Sequence, residues 1–175
     1  MTIETPRLIL RPPVAADRAA LHAIWRDPLV MADLGPVKTA AESDATLARH
    51  AAYPNGLGFN AVVRRDDSAV IGFCGLKPGA PDTPIAGEVE AGWVIARAYW
   101  RHGYALEAML GVLDWCWAHT DAPRVVAITA RRNAKSRGMM QRLGMSHRPE
   151  LDFVHPQFGA DDPLADVVTY ALPRP

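Results

Sequence analysis

The chain has 175 residues, 49% of them hydrophobic and 22% charged, which is enough to bury one core and too apolar for a disordered segment. Its 19 Lys+Arg balance 19 Asp+Glu, so no net charge draws it to nucleic acid or to an anionic membrane surface. The start, MTIETPRLIL, lacks the basic and apolar regions of a signal peptide, and no stretch approaches the roughly 20 apolar residues of a membrane span. The two cysteines, Cys74 and Cys116, stand far apart in apolar runs and read as reduced core thiols. The expectation is a single cytoplasmic domain over residues 1–175.

In chain order, RLILR (7–11) predicts a short strand stopped by Pro12 and Pro13. Leu21, Ile24 and Trp25 then recur at helical spacing, with Asp17 suited to a first turn and Pro28 as the stop. Residues 40–54 predict a second helix. FNAVVRR and AVIGFCGL predict a hairpin turned at Asp66, Asp67 and Ser68, and 77–87, rich in Pro and Gly, an exposed loop. In EVEAGWVI (88–95), Val89, Ala91, Trp93 and Ile95 alternate with Glu88, Glu90 and Gly92. Next, Ala105, Ala108, Met109, Val112, Leu113, Cys116 and Trp117 form one continuous helical stripe. RVVAITA (124–130) predicts a buried strand. Residues 133–145 predict a short helix with Asn133 as N-cap and Gly144 just past its end, and VVTYAL (167–172) a last strand. Trp115 lies off the stripe, a partner contact in a homodimer or a side chain covered by a neighbouring element. This order predicts a mixed sheet in an α/β or α+β domain.

The run YWRHGYALEAML (99–110) crowds cations and a glycine onto a helix start. Backbone N–H groups left free there, together with the helix dipole, favour an anion. Gly103 permits close approach, and Arg101 and His102 add positive charge. Phosphate suits this arrangement; so does an ordinary loop bearing surface cations, because neither GxGxxG nor GxxxxGK[ST] occurs.

Read together, YWRHGYALEA and ITARRNAKSRGMMQRLGM resemble the GNAT superfamily of acetyl-CoA-dependent N-acetyltransferases. The nearer match is the group typified by ribosomal-protein N-terminal acetyltransferases, which share W-x-x-G-Y-A-x-E-A and N-x-x-S…LGM/F. The resemblance runs from TPRLILRP to YAL and is most specific over residues 90–145. It implies a mostly antiparallel mixed sheet with a splayed strand pair and about four flanking helices, and acetyl-CoA as cosubstrate. It also implies that the amides of Arg101, His102, Gly103, Tyr104 and Ala105 hold the pyrophosphate, with Trp100 where the superfamily often has Gln or Arg. By position, Val94 and Ile95 offer backbone to pantetheine. Asn133 and Ser136 match coenzyme-contacting residues, and read equally as an N-cap and a first-turn residue.

Acetyl transfer to an amine needs a base, because the ammonium pKa is about 8 for an α-amine and about 10.4 for lysine. It also needs a donor for the oxyanion and a proton for the departing thiolate. Glu90, in an EAGW run matching the family's E-I-G-Y element, is the candidate base, and Glu88 the reserve; both also fit solvated strand positions. Many members carry an acidic Tyr where this chain has Met140, leaving Ser136 as the nearest hydroxyl and Tyr104 as packing. The six histidines show no HxxxH or HxH spacing, so no metal site is expected. His155 in DFVHPQF is a loop residue or a substrate-side group. Arg131 and Arg132 meet the coenzyme's 3′-phosphate or are solvated.

The expected activity is transfer of acetyl to a primary amine of a protein N-terminus or a small molecule, by direct attack. The acceptor would enter between the first two helices and the 77–87 and 146–166 loops. Acids in GADDPLAD (159–166) would suit a polycationic acceptor, or are solvated. The rival is a non-catalytic acyl-CoA-binding sensor or scaffold, for which Met140 speaks and against which Glu90 and Ser136 speak. Nucleic acid is disfavoured by the zero net charge and the lack of an aromatic-plus-basic strand motif.

Overall fold

Short apolar runs bounded by turn residues open the chain, and they pair at once. In the computed structural model, which describes residues 2–159 and 161–175, β1 (Ile3–Glu4) and β2 (Leu8–Arg11) are antiparallel neighbours. Thr5 closes their turn, its hydroxyl accepting the Leu8 N–H at 3.1 Å. After Pro12 and Pro13, Asp17 closes the turn that leads into α1 (Arg18–Arg26) by accepting the Val14 N–H at 2.8 Å. Pro28 stops that helix and starts another, α2 (Pro28–Met31), where a missing N–H costs nothing and Asp27 caps Leu29 N–H at 2.9 Å. A capping box of Thr39 and Glu42 opens α3 (Ala40–Ala51).

The three consecutive strands form a meander of β3 (Gly58–Arg64), β4 (Val70–Pro78) and β5 (Val89–Ile95). β4 runs two residues past the expected AVIGFCGL and takes Lys77 into the sheet. The stripe helix is α4 (Tyr104–His119), which buries Ala108, Met109, Val112, Leu113 and Cys116. Trp115 is half-buried, and a Cβ at Gly56 would lie 3.0 Å from its ring, so the turn before β3 covers it. β6 (Arg124–Ala130), α5 (Ala134–Arg142), β7 (Ser146–His147), β8 (Phe153–Val154) and β9 (Asp166–Pro173) complete the chain.

The strands join one mixed sheet in the order β1-β2-β3-β4-β5-β6-β9-β7, with β8 also on β9. Five α-helices occur among the described residues, one more than expected, the addition being the single turn α2. One sheet face packs on α4 through Leu10, Val62, Leu76, Met109 and Val112. The other packs on α1 and α2 through Leu21, Trp25, Met31, Phe73 and Val94. Cys74 and Cys116 are buried and free, and burial pushes the Cys74 thiol up to about 12. No helix among the described residues is long and apolar enough to cross a membrane.

Every strand pair is antiparallel except β5 with β6, and that pair is brief. Val89 lies opposite Val125 and Glu90 opposite Val126, after which the strands part.

Candidate active site

The parting of β5 from β6 leaves a row of backbone groups without a ladder. Gly79 N–H donates to Glu88 C=O and Ala96 N–H to Ile71 C=O, both at 2.8 Å, in an unbroken antiparallel register between β4 and β5. Even-numbered residues of β5 therefore bond to β4, and the odd-numbered ones aim N–H and C=O at the gap. The backbone of Val94 belongs to the β4 ladder, while Trp93 and Ile95 face the gap. Trp100 Nε1 occupies Ile95 C=O at 2.7 Å, which leaves both groups of Trp93 and the N–H of Ile95.

Where the strands separate, Glu90 points into a cleft of about 290 Å³. Trp25, Met31, Leu34, Phe59 and Phe73 form much of its wall, with Lys38, Lys77 and His50 also lining it. Glu90 is 5% exposed and ion-paired to Lys77, its cross-strand partner on β4. Burial raises its pKa, and the Lys77 ammonium opposes that rise. Gly92 has the same facing; a Cβ there would meet the Phe59 ring at 2.5 Å, so glycine leaves room for that ring in the cleft wall. His50 Nδ1 accepts the Phe59 N–H at 3.1 Å, which leaves its proton on Nε2, and burial drives its pKa down to about 3. Glu88 does not reach the cleft: it binds Arg124 at the start of β6, at 2.5 and 3.1 Å.

At the open end of the gap, residues 97–103 turn the chain into α4. Arg101 and Gly103 both take left-handed backbone, with φ of 65° and 81°. No side chain caps Gly103, so the first-turn N–H groups of α4 keep their capacity to bind an anion. Arg7 fixes this turn by donating to His102 C=O at 3.0 Å and to Glu107 at 2.6 Å. The Tyr104 ring packs beneath the Arg7 guanidinium, 4.5 Å from its centroid. Lys135 of α5 sits 4.5 Å from the Trp100 ring centroid, bringing the first turn of α5 beside this loop.

Asn133 caps α5, accepting Ser136 N–H at 3.1 Å and donating to Thr129 Oγ1 at 2.9 Å and Ser136 Oγ at 3.0 Å. Both of its amide hydrogens are thus used, and it is 4% exposed; it bears on the cleft through Ser136. Ser136 lines the cleft, and because its oxygen accepts from Asn133 its own hydrogen is free to donate.

Against known proteins, the chain matches the acetyltransferase (GNAT) domain family over residues 7–146. It belongs to that family. Bacillus subtilis (strain 168) YkkB is 25% identical over 146 residues, covering 82% of this chain and 84% of that one. A GNAT-family acetyltransferase structure from Bacillus anthracis superposes with a TM-score of 0.82 at 22% identity, covering 99% of both chains. A Vibrio cholerae protein provisionally named a ribosomal-protein-serine acetyltransferase gives 0.76 at 17% identity, over 99% of this chain and 97% of that one. At such identities the structural likeness speaks for the fold. GNAT acetyltransferases use acetyl-CoA as acetyl donor, and three features of this domain fit it: the gap-facing amides of β5, the uncapped start of α4, and a cleft that brings β5 residues 91–94 together with a buried carboxylate.

Other expected residues of this GNAT domain have structural duties. Met140, in the place of the family's Tyr, is 1% exposed in the main core. Arg131 is paired with Asp152 at 3.1 Å and Asp166 at 2.7 Å, and Arg132 with Asp33 at 2.9 Å. His155 is half-buried against Phe153 and Phe158, its Nδ1 accepting Gln157 N–H at 3.2 Å. Asp161 and Asp162 are exposed, and neither lines the cleft. Among the described residues no group of three or more His, Cys, Asp or Glu could hold a metal ion. Sequence reading missed Lys77, Lys38, His50 and Phe59. Lys77 was detectable only from its register against Glu90, because its run reads as a Pro-Gly loop.

Proposed function

We propose that this domain is an N-acetyltransferase that moves the acetyl group of acetyl-CoA onto a primary amine by direct attack. The single observation that carries the reading is Glu90: a buried carboxylate at the fork of the splayed strands, raised in pKa by burial and steadied by Lys77. Bound acetyl-CoA supplies an activated thioester carbonyl and a thiol leaving group.

The chain's groups divide the remaining work. The first-turn N–H groups of α4 bind phosphate oxygens, with Arg101 and His102 exposed alongside. A gap-facing N–H of β5, at Trp93 or Ile95, donates to the carbonyl oxygen as negative charge develops there. Glu90 removes the ammonium proton of the acceptor, directly or through one water. Ser136 Oγ–H, unspent within the protein, donates toward the departing sulfur. The acceptor, a small-molecule amine or a protein N-terminus, enters the cleft over the packed Trp25 and Phe73 rings. For the acyl-CoA-binding module speaks Met140, which brings no proton to the cleft; the paired carboxylate and the unspent hydroxyl speak for turnover.

Glu90→Gln tests the reading, with free-thiol release from acetyl-CoA followed across an amine panel. The expected result is a kcat loss of about 100- to 10,000-fold, the usual worth of a positioned acid or base. Acetyl-CoA should still raise the melting temperature of the variant. The wild-type rate should climb with pH along a limb above the ordinary carboxylate range, as Glu90 deprotonates, and the variant should lack that limb. Unchanged kcat would remove Glu90 from the reaction. A wild-type protein that binds acetyl-CoA and acetylates no amine would be the binding module.

A further inference from the structure

We infer that the acceptor is a small amino-carboxylate with an apolar body, its carboxylate separated from its amine by one or two carbons, and that Lys77 and Lys38 select it. The inference rests on the N-acetyltransferase reading and adds the chemical class of its substrate.

Charge in the cleft is lopsided. Two ammonium groups, Lys38 and Lys77, line it against one carboxylate, Glu90, which Lys77 already engages. Among the described residues Lys38 makes no ion pair; its charge bears on Glu42, an exposed residue whose carboxylate is held by Thr39. The acids that could have welcomed a polycation are elsewhere: Asp166 is tied to Arg131, and Asp162 caps its own turn by accepting Leu164 N–H at 2.8 Å. His50 stands neutral in the same wall, and after burial the charges of Arg49, Lys77 and Lys38 are what hold its proton affinity down, so the field there is positive. A second ammonium on the acceptor would meet like charge in a partly desolvated space.

Geometry places the anion. An amine that delivers its proton to Glu90 sits within hydrogen-bond reach of that carboxylate, and Lys77 is in direct contact with it. A carboxylate separated from the amine by one or two carbons therefore falls within reach of Lys77, where an amide or a hydrogen would leave the cation unanswered. Beyond the charges, and beside the polar Thr46, His50, Thr129 and Ser136, the apolar side chains of Trp25, Met31, Leu34, Phe59 and Phe73 line a volume of about 290 Å³. That size suits a single aliphatic or aromatic side chain and not an oligosaccharide or a long polyamine.

The test uses the full-length protein, acetyl-CoA, and matched acceptors: L-methionine, L-phenylalanine and L-tryptophan, their primary amides, and spermidine. The expected kcat/KM for each amino acid exceeds that of its amide by about tenfold or more, the worth of one charge-assisted contact. Lys38→Gln should raise KM several-fold more for the amino acids than for their amides, and an equal change for both would remove Lys38 from carboxylate selection. Amides or spermidine turned over as well as the amino acids would overturn the inference and leave the N-acetyltransferase reading intact. No turnover of any of these acceptors by protein that binds acetyl-CoA would overturn the inference, and no turnover of a peptide N-terminus or of the wider amine panel either would overturn the N-acetyltransferase reading as well.

Discussion

Asp17 is 3% exposed, yet its carboxylate meets both Nη atoms of Arg11, at 2.6 and 2.9 Å, as well as the Val14 N–H. The Arg11 hydrogen bonds hold its pKa below the usual carboxylate range against the opposing effect of burial. A group depressed in this way contributes stability that is present above its unfolded pKa and lost as pH falls through the lower folded value. Asp17→Asn should cost about 2 kcal/mol at neutral pH, the worth of hydrogen bonds to a charged group, read from urea unfolding. Repeated near pH 3, the gap between wild type and variant should narrow; a constant gap would mean that packing, not charge, sets the cost. His50 follows the same sign: its proton affinity is depressed, so its contribution fades as pH drops from about 6.5 toward 3.

At the scale of elements, the chain enters α4 through two left-handed residues, Arg101 and Gly103. A Cβ at Gly103 would find Arg7 at 3.5 Å, an ordinary contact, so the cost of a side chain there is conformational and not steric. Gly103→Ala should therefore lower stability by about 1 kcal/mol and shrink the melting-temperature rise given by acetyl-CoA, both measured by thermal unfolding. A loss of stability with an undiminished ligand response would separate the turn from the coenzyme. Elements with a long period were legible in the sequence: the α4 stripe, β6 from Arg124 to Ala130, and α5 with Asn133 as its cap. β1, β7 and β8 were not, because two residues display no alternation. Of the cleft, Glu90 and Ser136 could be named from local motifs. Lys77 and His50 could not, nor could the diversion of Glu88 to Arg124, since each depends on which distant strand or helix lies alongside.

At the scale of the molecule, the sheet falls into two consecutive stretches of chain. β1 through β5 all precede residue 96, and β6 through β9 all follow residue 123. Two parallel residue pairs and the Glu88–Arg124 contact join them along the strands, while Arg174 ties the last residues to Trp117 of α4 and to Ala122 just after it. The protein is thus a book with a short binding, and the pantetheine arm of its donor would serve as the stitches missing from the spine. Native-state hydrogen exchange should register the two leaves as separate blocks, opening with different free energies in the free protein. Saturating acetyl-CoA should merge them and slow exchange at the Trp93 and Ile95 amides above all. If the blocks already open together without ligand, the spine is stronger than its two rungs suggest and the core on α4 is the true binding. A donor that completes its enzyme's sheet would make every turnover a cycle of loosening, with release of coenzyme A returning the two leaves to independent motion.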